Sequence, residues 1–97
     1  MDDIELDGRA WRTKDDFYEG FLAAVRAPDW HGRNLDALWD SIVGRNVNGR
    51  ELPYRVVIHG CMDMGEEARQ MVERFRTLIE EARSEGHPVD ILVLDPR

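Results

Sequence analysis

The sequence lacks several features that would place it in a specialised class. It contains one cysteine, Cys61, so no disulfide can form within the chain, as is typical of proteins from reducing compartments. No apolar run approaches the ~20 residues that a membrane-spanning helix needs. The N-terminal residues are acidic where a secretion signal would be basic. We therefore expect a cytoplasmic protein that has no membrane partner.

Positive charge is also scarce. Only 13 of the 97 residues are lysine or arginine, against 20 aspartates and glutamates, and the formal net charge is -7. Contacts with nucleic-acid phosphates need a basic face, so nucleic acid is not an expected partner. The hydrophobic share of 42% excludes a long disordered chain and suffices for one core. We expect a monomer with a single domain over residues 1–97, and the acidic surplus needs an explanation.

Strand and helix patterns alternate along the chain. Strands are predicted around Ile4–Leu6 ahead of the Asp7-Gly8 turn, at Tyr54–His59 and at Val89–Leu94. Helices are predicted from the N-cap Thr13 to no further than Ala27, from the N-cap Asn34 to about Val43, and from about Glu66 to Ser84. This order favours an α/β fold with a small three-stranded parallel sheet packed with three to four helices. The middle strand is apolar on both sides, which predicts that both of its faces are covered.

The long helix balances most of its own acidic residues. Glutamates with an arginine three or four positions away, in pairs worth ~0.2–0.5 kcal/mol each, are Glu66, Glu73 and Glu80. Glu81 and Glu85 have no base at that spacing. They repel each other and lie near the helix C-terminus, where the helix dipole disfavours negative charge. A partner elsewhere in the fold, such as Arg9 or Arg12, would explain them without a function, and the sequence leaves that alternative open.

The shorter helix repeats this pattern. Asp36 and Asp40 are four residues apart; Asp36 has Arg33 three positions before it, whereas Asp40 has no basic neighbour. The apolar Val43 shares their face of the helix. The loop before the helix adds two aromatic rings, Trp30 and His31. This combination is typical of a docking surface for a basic partner, although a solvated helix face would carry the same charges.

Signals for catalysis or metal binding are weak. No nucleophile or oxyanion-stabilising group accompanies the histidine and aspartates of that surface, so no catalytic residue is predicted. His59, Cys61 and Asp63 form only a fragment of a metal site, without the spacing of four ligands. A glycine-rich phosphate loop is absent. We expect neither an enzyme nor a bound metal or cofactor.

Residues 30–44 resemble the most distinctive stretch of the barstar family, the intracellular inhibitors of the ribonuclease barnase. The specific core is Gly-x-Asn-Leu-Asp-Ala-Leu-Trp-Asp at residues 32–40. Residues 75–76 and 81–86 also resemble the family, and the order of helices and strands agrees over essentially the whole chain. The resemblance implies an antitoxin or immunity protein that blocks the basic active site of a ribonuclease with the loop and the second helix.

The resemblance also implies roles for single residues. Asp40 would take the place of the substrate phosphate, and Asp36 would contact the same basic site or its neighbourhood. Glu81 would be a second acidic contact and Glu85 a long-range charge. Further partner-binding positions that the resemblance implies are Trp30, His31, Asn34, Trp39, Val43 and Gly44.

The sequence departs from the family pattern at contact positions. Trp30 and His31 stand where the family has two tyrosines, Val43 replaces a threonine, and Arg45 replaces an aromatic residue. These differences favour a partner other than barnase, either another ribonuclease or another toxin with a basic cleft. Two alternatives remain open. One is an interaction or regulatory module that keeps the fold but whose partner is not a ribonuclease. The other is an acidic mimic that binds a basic nucleic-acid-handling protein and competes with nucleic acid outside any catalytic cleft.

Overall fold

The computed structural model describes residues 2–29, 31–44 and 53–94. The strands are β1 (Asp2–Asp7), β2 (Tyr54–His59) and β3 (Val89–Leu94). The helices are α1 (Lys14–Ala24), α2 (Leu35–Trp39), which continues as a π-helical turn (Asp40–Gly44), and α3 (Glu66–Ser84), with a short 3₁₀ turn (Cys61–Asp63) before α3. Within the described ranges, no helix combines the length and the apolar character needed to cross a membrane. The predicted order of elements is confirmed.

The three strands form one parallel sheet in the order β1-β2-β3. The register aligns apolar residues across the sheet, as in the row Ile4, Val56 and Ile91. These residues belong to, or pack against, the same hydrophobic cluster as the buried faces of the helices. The three-stranded parallel α/β fold predicted from the sequence is therefore confirmed.

The core lies between the sheet and helices α1 and α3. Phe75 of α3 is fully buried, and its ring centroid lies 4.9 Å from the centroids of both Phe17 and Phe21 of α1. The buried stripe of α3 is the predicted one: Ala68, Met71, Val72, Phe75, Leu78, Ile79 and Ala82. This aromatic contact fixes α3 against α1, and α2 in turn packs against α3.

The second face of the sheet differs from the prediction. No described helix covers it, and the residues of β2 that point there are Arg55, Val57 and His59. Arg55 pairs with Asp3 of β1 at 3.0 Å, and His59 lies 2.9 Å from Glu5. Val57 is nevertheless buried. The predicted cover therefore holds for Val57, whereas Arg55 and His59 on the same face are only half-buried and pair with acidic residues of β1.

The loop after β2 depends on close contact between two backbones. Gly60 has φ +83, and a Cβ there would lie 3.0 Å from the Arg9 nitrogen, since segment 8–12 packs directly on this turn. Gly86, after α3, has φ +97 but no atom within 4 Å of the position of a Cβ. The two glycines therefore share a left-handed conformation and differ in the space around them.

We expect Gly60→Ala to destabilise the fold more than Gly86→Ala. Both changes place alanine in the left-handed region, at about 1–2 kcal/mol each, and only Gly60→Ala adds overpacking, worth a further ~1–3 kcal/mol. Urea unfolding followed by circular dichroism measures the difference. Equal losses in the two variants would show that the contact with Arg9 adds nothing.

Candidate partner-binding surface

Helix α2 begins at the motif that the sequence singled out. Asn34 is its N-cap, and the side-chain oxygen of Asn34 accepts a hydrogen bond from the Ala37 amide at 2.8 Å. A Cβ at Gly32 would lie 2.9 Å from the Asn34 side-chain nitrogen and 3.2 Å from Ala37 Cβ. Any side chain at position 32 would crowd the capping Asn34, so the Gly-x-Asn spacing suits the start of the helix.

The apolar face of α2 holds the helix on the core. Leu38 is fully buried and Ile42 is nearly so. Trp39 is half-buried against the same cluster, together with Leu35, as predicted. Val43 also packs against this cluster, so only part of its side chain reaches solvent. Because this apolar face packs on the core, the acidic side of α2 faces the solvent.

The helix changes geometry at Asp40. The sequence predicts a continuous helix to about Val43, and the structure keeps the helical segment but winds Asp40–Gly44 as a π-helical turn. The Ser41 hydroxyl donates to the Leu38 carbonyl oxygen at 3.2 Å, a local bond of the kind that bends helices. Such widened turns are frequent at functional sites, and here the turn begins at the residue expected to anchor a partner.

Four carboxylates of α2, its π-helical turn and the C-terminal end of α3 have no partner in the described part of the chain. The side chains of Asp36, Asp40, Glu81 and Glu85 are exposed. None forms an ion pair or accepts a side-chain hydrogen bond from another described residue. We call these four residues the unpaired carboxylates. Because α2 packs against α3, the two helices that carry them are neighbours.

The basic residues that could have neutralised them are occupied elsewhere. The Arg9 guanidinium pairs with Asp7 at 2.8 Å, and its hydrogen bonds lower the pKa of Asp7 to about 2. The Arg12 guanidinium donates to three backbone carbonyl oxygens, those of Arg9, Trp11 and Asp63. Neither arginine pairs with Glu81 or Glu85, so a base elsewhere in the fold does not explain these two glutamates in the way the sequence left open.

Arg33 does not pair with Asp36, which lies three positions after it in the sequence. Its guanidinium lies 3.3 Å from Asp15 of α1, whereas Asp36 has no ion pair among the described residues. Arg33 precedes the N-cap, so the helical spacing that would bring it over Asp36 does not apply. The ion pair instead ties the start of α2 to α1.

A family model described as Barstar (barnase inhibitor) matches residues 1–94. The chain belongs to the barstar family. Its three-stranded sheet, its Asn34-capped α2 and its acidic residues on α2 and α3 are thus those of a barstar-family member.

One curated relative has a name that refers to ribonuclease inhibition. The match is with a Bacillus subtilis (strain 168) protein named "Putative ribonuclease inhibitor YrdF", at 39% identity over 44 residues. The aligned part is 45% of this chain and 48% of that protein, so the match spans about half the length of the relative. That name describes the relative.

His31 stands at a predicted contact position of the barstar-family motif but is buried. It is 8% exposed, and its Nδ1 lies 2.8 Å from the Gly32 carbonyl oxygen, which favours a proton on Nδ1. Its Nε2 has no hydrogen-bond partner within the described residues. Trp30, before it, lies outside the described residues, and Gly44 ends the π-helical turn. The imidazole therefore lies inside the loop that leads to α2.

The fragment of a metal site around Cys61 does not assemble. Across residues 2–29, 31–44 and 53–94, no group of three or more His, Cys, Asp or Glu side chains could hold a metal ion. The His59 ring pairs with Glu5 on the open face of the sheet, and Cys61 lies half-buried in the 3₁₀ turn. These residues contribute to the structure around the ends of the strands.

Proposed function

We propose that this barstar-family chain inhibits a ribonuclease by covering its basic active site with α2, the loop before α2, and the acidic end of α3. The unpaired carboxylates carry this proposal. They are exposed, they have no ion-pair partner in the described part of the chain, and they lie on two helices that pack together. A site that cleaves RNA binds a polyanion and so presents basic groups, to which such a surface is complementary.

Within this proposal each carboxylate has its own task. Asp40 enters the place of the substrate phosphate, and Asp36 contacts the same basic site. Glu81 is a second acidic contact, and Glu85 attracts the partner over a longer distance. The buried Leu38 supports this assignment, because it fixes the backbone of α2 directly before Asp40 and so limits the freedom lost on binding.

The remaining predicted contact positions surround this acidic centre. In the proposal, Trp39 offers the exposed part of its ring, and the interface also includes Trp30, His31, Asn34, Val43 and Gly44. The proposal assigns no catalytic residue, metal or cofactor to the chain. It describes a cytoplasmic, single-domain monomer, an antitoxin or immunity protein, with neither a membrane nor a nucleic-acid partner.

A second candidate is a barstar-fold interaction or regulatory module whose partner is not a ribonuclease. Two observations favour it. His31 is buried and Val43 packs partly against the core, although both stand at positions expected to contact the partner. Their side chains therefore offer a different contact surface from the family pattern.

A capture and inhibition experiment distinguishes the two candidates. The immobilised chain is exposed to purified ribonucleases and to other basic toxins, and each captured protein is then titrated with the chain in an RNA-cleavage assay. We expect at least one ribonuclease to be captured and its cleavage to stop at a 1:1 ratio. Capture of proteins whose RNA cleavage is absent or unaffected would favour the second candidate.

We expect Glu85→Gln to slow association with the captured ribonuclease by about two- to fourfold at low salt. One charge acting across water at ~5–10 Å contributes ~0.4–0.8 kcal/mol, and this attraction is screened as salt rises. Stopped-flow association rates at several salt concentrations measure the effect, which should vanish near 1 M. The control is Glu73→Gln on the same helix, whose carboxylate already pairs with Arg76 at 3.7 Å. Equal slowing by both changes would contradict the role of Glu85.

A further inference from the structure

Strand β3 forms one edge of the sheet. It pairs with β2 on one side, and no other described strand lies on its second side. Its sequence, Val89–Leu94, contains a single charged residue, Asp90. An edge strand that is rich in β-branched and apolar residues and nearly uncharged is a template for pairing with another chain, unless the protein blocks the edge.

The hydrogen bonds show which backbone groups of β3 point away from the sheet. The Leu94 carbonyl oxygen accepts from the Gly60 amide at 3.0 Å, so Leu94 faces the β2 side. In a parallel ladder, alternate residues direct their N–H and C=O groups to opposite sides. The outward groups are therefore those of Val89, Ile91 and Val93.

Two of the three outward amides are already occupied within the chain. The Val89 amide donates to the His87 carbonyl oxygen at 2.8 Å. The Ile91 amide donates to Asp90 Oδ1, also at 2.8 Å. The same oxygen accepts from the Arg83 guanidinium of α3 at 2.8 Å. Asp90 thus takes the place that a carbonyl oxygen of an incoming strand would occupy, and Arg83 holds it there.

We propose that the Arg83–Asp90 ion pair guards the β3 edge against pairing with a second copy of this chain. Strand addition at Ile91 would have to displace the carboxylate and bury its charge, which is unfavourable. A second copy is the fitting occupant because two identical edges related by a two-fold axis present matching donors and acceptors. This role is separate from the proposed inhibition of a ribonuclease.

The opposite edge of the sheet supports this asymmetry. Strand β1 carries four acidic residues in six, Asp2, Asp3, Glu5 and Asp7. Two copies of β1 would bring these like charges together, so β1 resists self-pairing by its composition. Strand β3 has no such repulsion and depends on one carboxylate.

The test is Asp90→Ala. This change removes the acceptor of the Ile91 amide and leaves β3 without a charge. We expect the concentration at which half of the chains associate to fall ~10-fold or more, equivalent to at least ~1.4 kcal/mol, as measured by sedimentation equilibrium with the full chain. An association curve that matches that of the native chain would overturn the proposal.

A matched control distinguishes loss of the Arg83–Asp90 pair at the β3 edge from a general loss of charge or stability. Asp3 occupies the same row of the sheet on β1 and binds Arg55 through two hydrogen bonds of 3.1 and 3.0 Å. Asp3→Ala removes a comparable ion pair, and we expect it to associate as the native chain does. Equal association of the Asp3 and Asp90 variants would overturn the proposal.

Two further variants keep the test decisive. Leu92 is 42% exposed on the open face, and adding Leu92→Lys to Asp90→Ala should restore native association, because a lysine on an edge opposes pairing. Failure of this rescue would contradict pairing through β3. Asp90→Asn keeps an acceptor for the Ile91 amide without the charge; it serves if the alanine variant does not fold, and should associate more than the native chain. Native behaviour of Asp90→Asn would then overturn the ion pair as the guard.

Discussion

Replacing Asp40 with alanine is expected to weaken binding to the cognate ribonuclease by ~2–5 kcal/mol or more, chiefly through faster dissociation. The physical reason is that the partner's basic groups lose their counter-charge while they stay buried at the interface. The barnase–barstar pair is one of the systems behind this range, so the magnitude is transferred from the family and does not come from the structure. Titration calorimetry or surface plasmon resonance with the captured ribonuclease measures it.

The control for Asp40 is an acidic residue with the same charge and another location. Glu19 is exposed on α1, outside the proposed surface. Glu19→Ala changes the net charge by the same amount, and we expect binding to stay within a few tenths of a kcal/mol of the native value, as for ordinary surface substitutions. An Asp40→Ala chain that binds as tightly as Glu19→Ala would rule out Asp40 as the anchor.

Replacing Phe75 with alanine is expected to lower the free energy of unfolding by ~3–5 kcal/mol. The ring is fully buried and contacts Phe17 and Phe21 of α1 on the side where α3 meets that helix. Its loss leaves a cavity between the two longest helices. A domain of this size has about 5–15 kcal/mol to lose, so the effect is a large share of the total. Urea unfolding monitored by tryptophan fluorescence measures it.

Phe75→Leu is the matched variant, because it keeps most of the apolar volume and loses the aromatic contacts. We expect it to be clearly less destabilising than alanine, since residual cavity volume sets much of the cost. If leucine and alanine were equally destabilising, the contacts between aromatic rings, rather than the filled volume, would dominate at this position.

Much of the fold could be predicted because glycine and proline mark the ends of its elements. Gly60 and Gly65 bracket the loop between β2 and α3, and Gly86 with Pro88 ends α3, so three elements have the predicted bounds. The apolar stripe of α3 was also predicted residue by residue, since a helix of that length repeats its pattern several times. A repeated apolar pattern and strong turn residues are local properties, so they can be identified from the sequence alone.

The features that the sequence did not predict depend on contacts between distant residues or on local geometry that has no sequence signature. The apolar run of β2 predicted two covered faces; Val57 is buried, but Arg55 and His59 beside it are half-buried and pair with acidic residues of β1. Arg33 lies at helical spacing from Asp36 and yet pairs with Asp15, 18 positions earlier in the chain. The π-helical turn at Asp40 has no pattern that distinguishes it from a continued α-helix.

The candidate site was predicted only in part for the same reasons. Exposure of the unpaired carboxylates follows from helix periodicity and is observed. Their lack of ion pairs depended on the positions of Arg9 and Arg12, which sequence spacing does not determine. The burial of His31 was not foreseen, because a loop has no periodicity from which to infer which side chain turns inward.

The shortness of α2 links recognition to folding. Five residues of α-helix and one π-helical turn are far below the ~12–15 residues at which an isolated helix becomes even marginally stable in water. The shape that presents Asp40 therefore exists only while Leu38 and Ile42 rest on the core. A partner that binds this shape binds only the native state, and so raises the melting temperature of the chain by an amount that grows with the logarithm of its concentration relative to Kd. Thermal unfolding thus reports on ligand binding without any assay of enzyme activity.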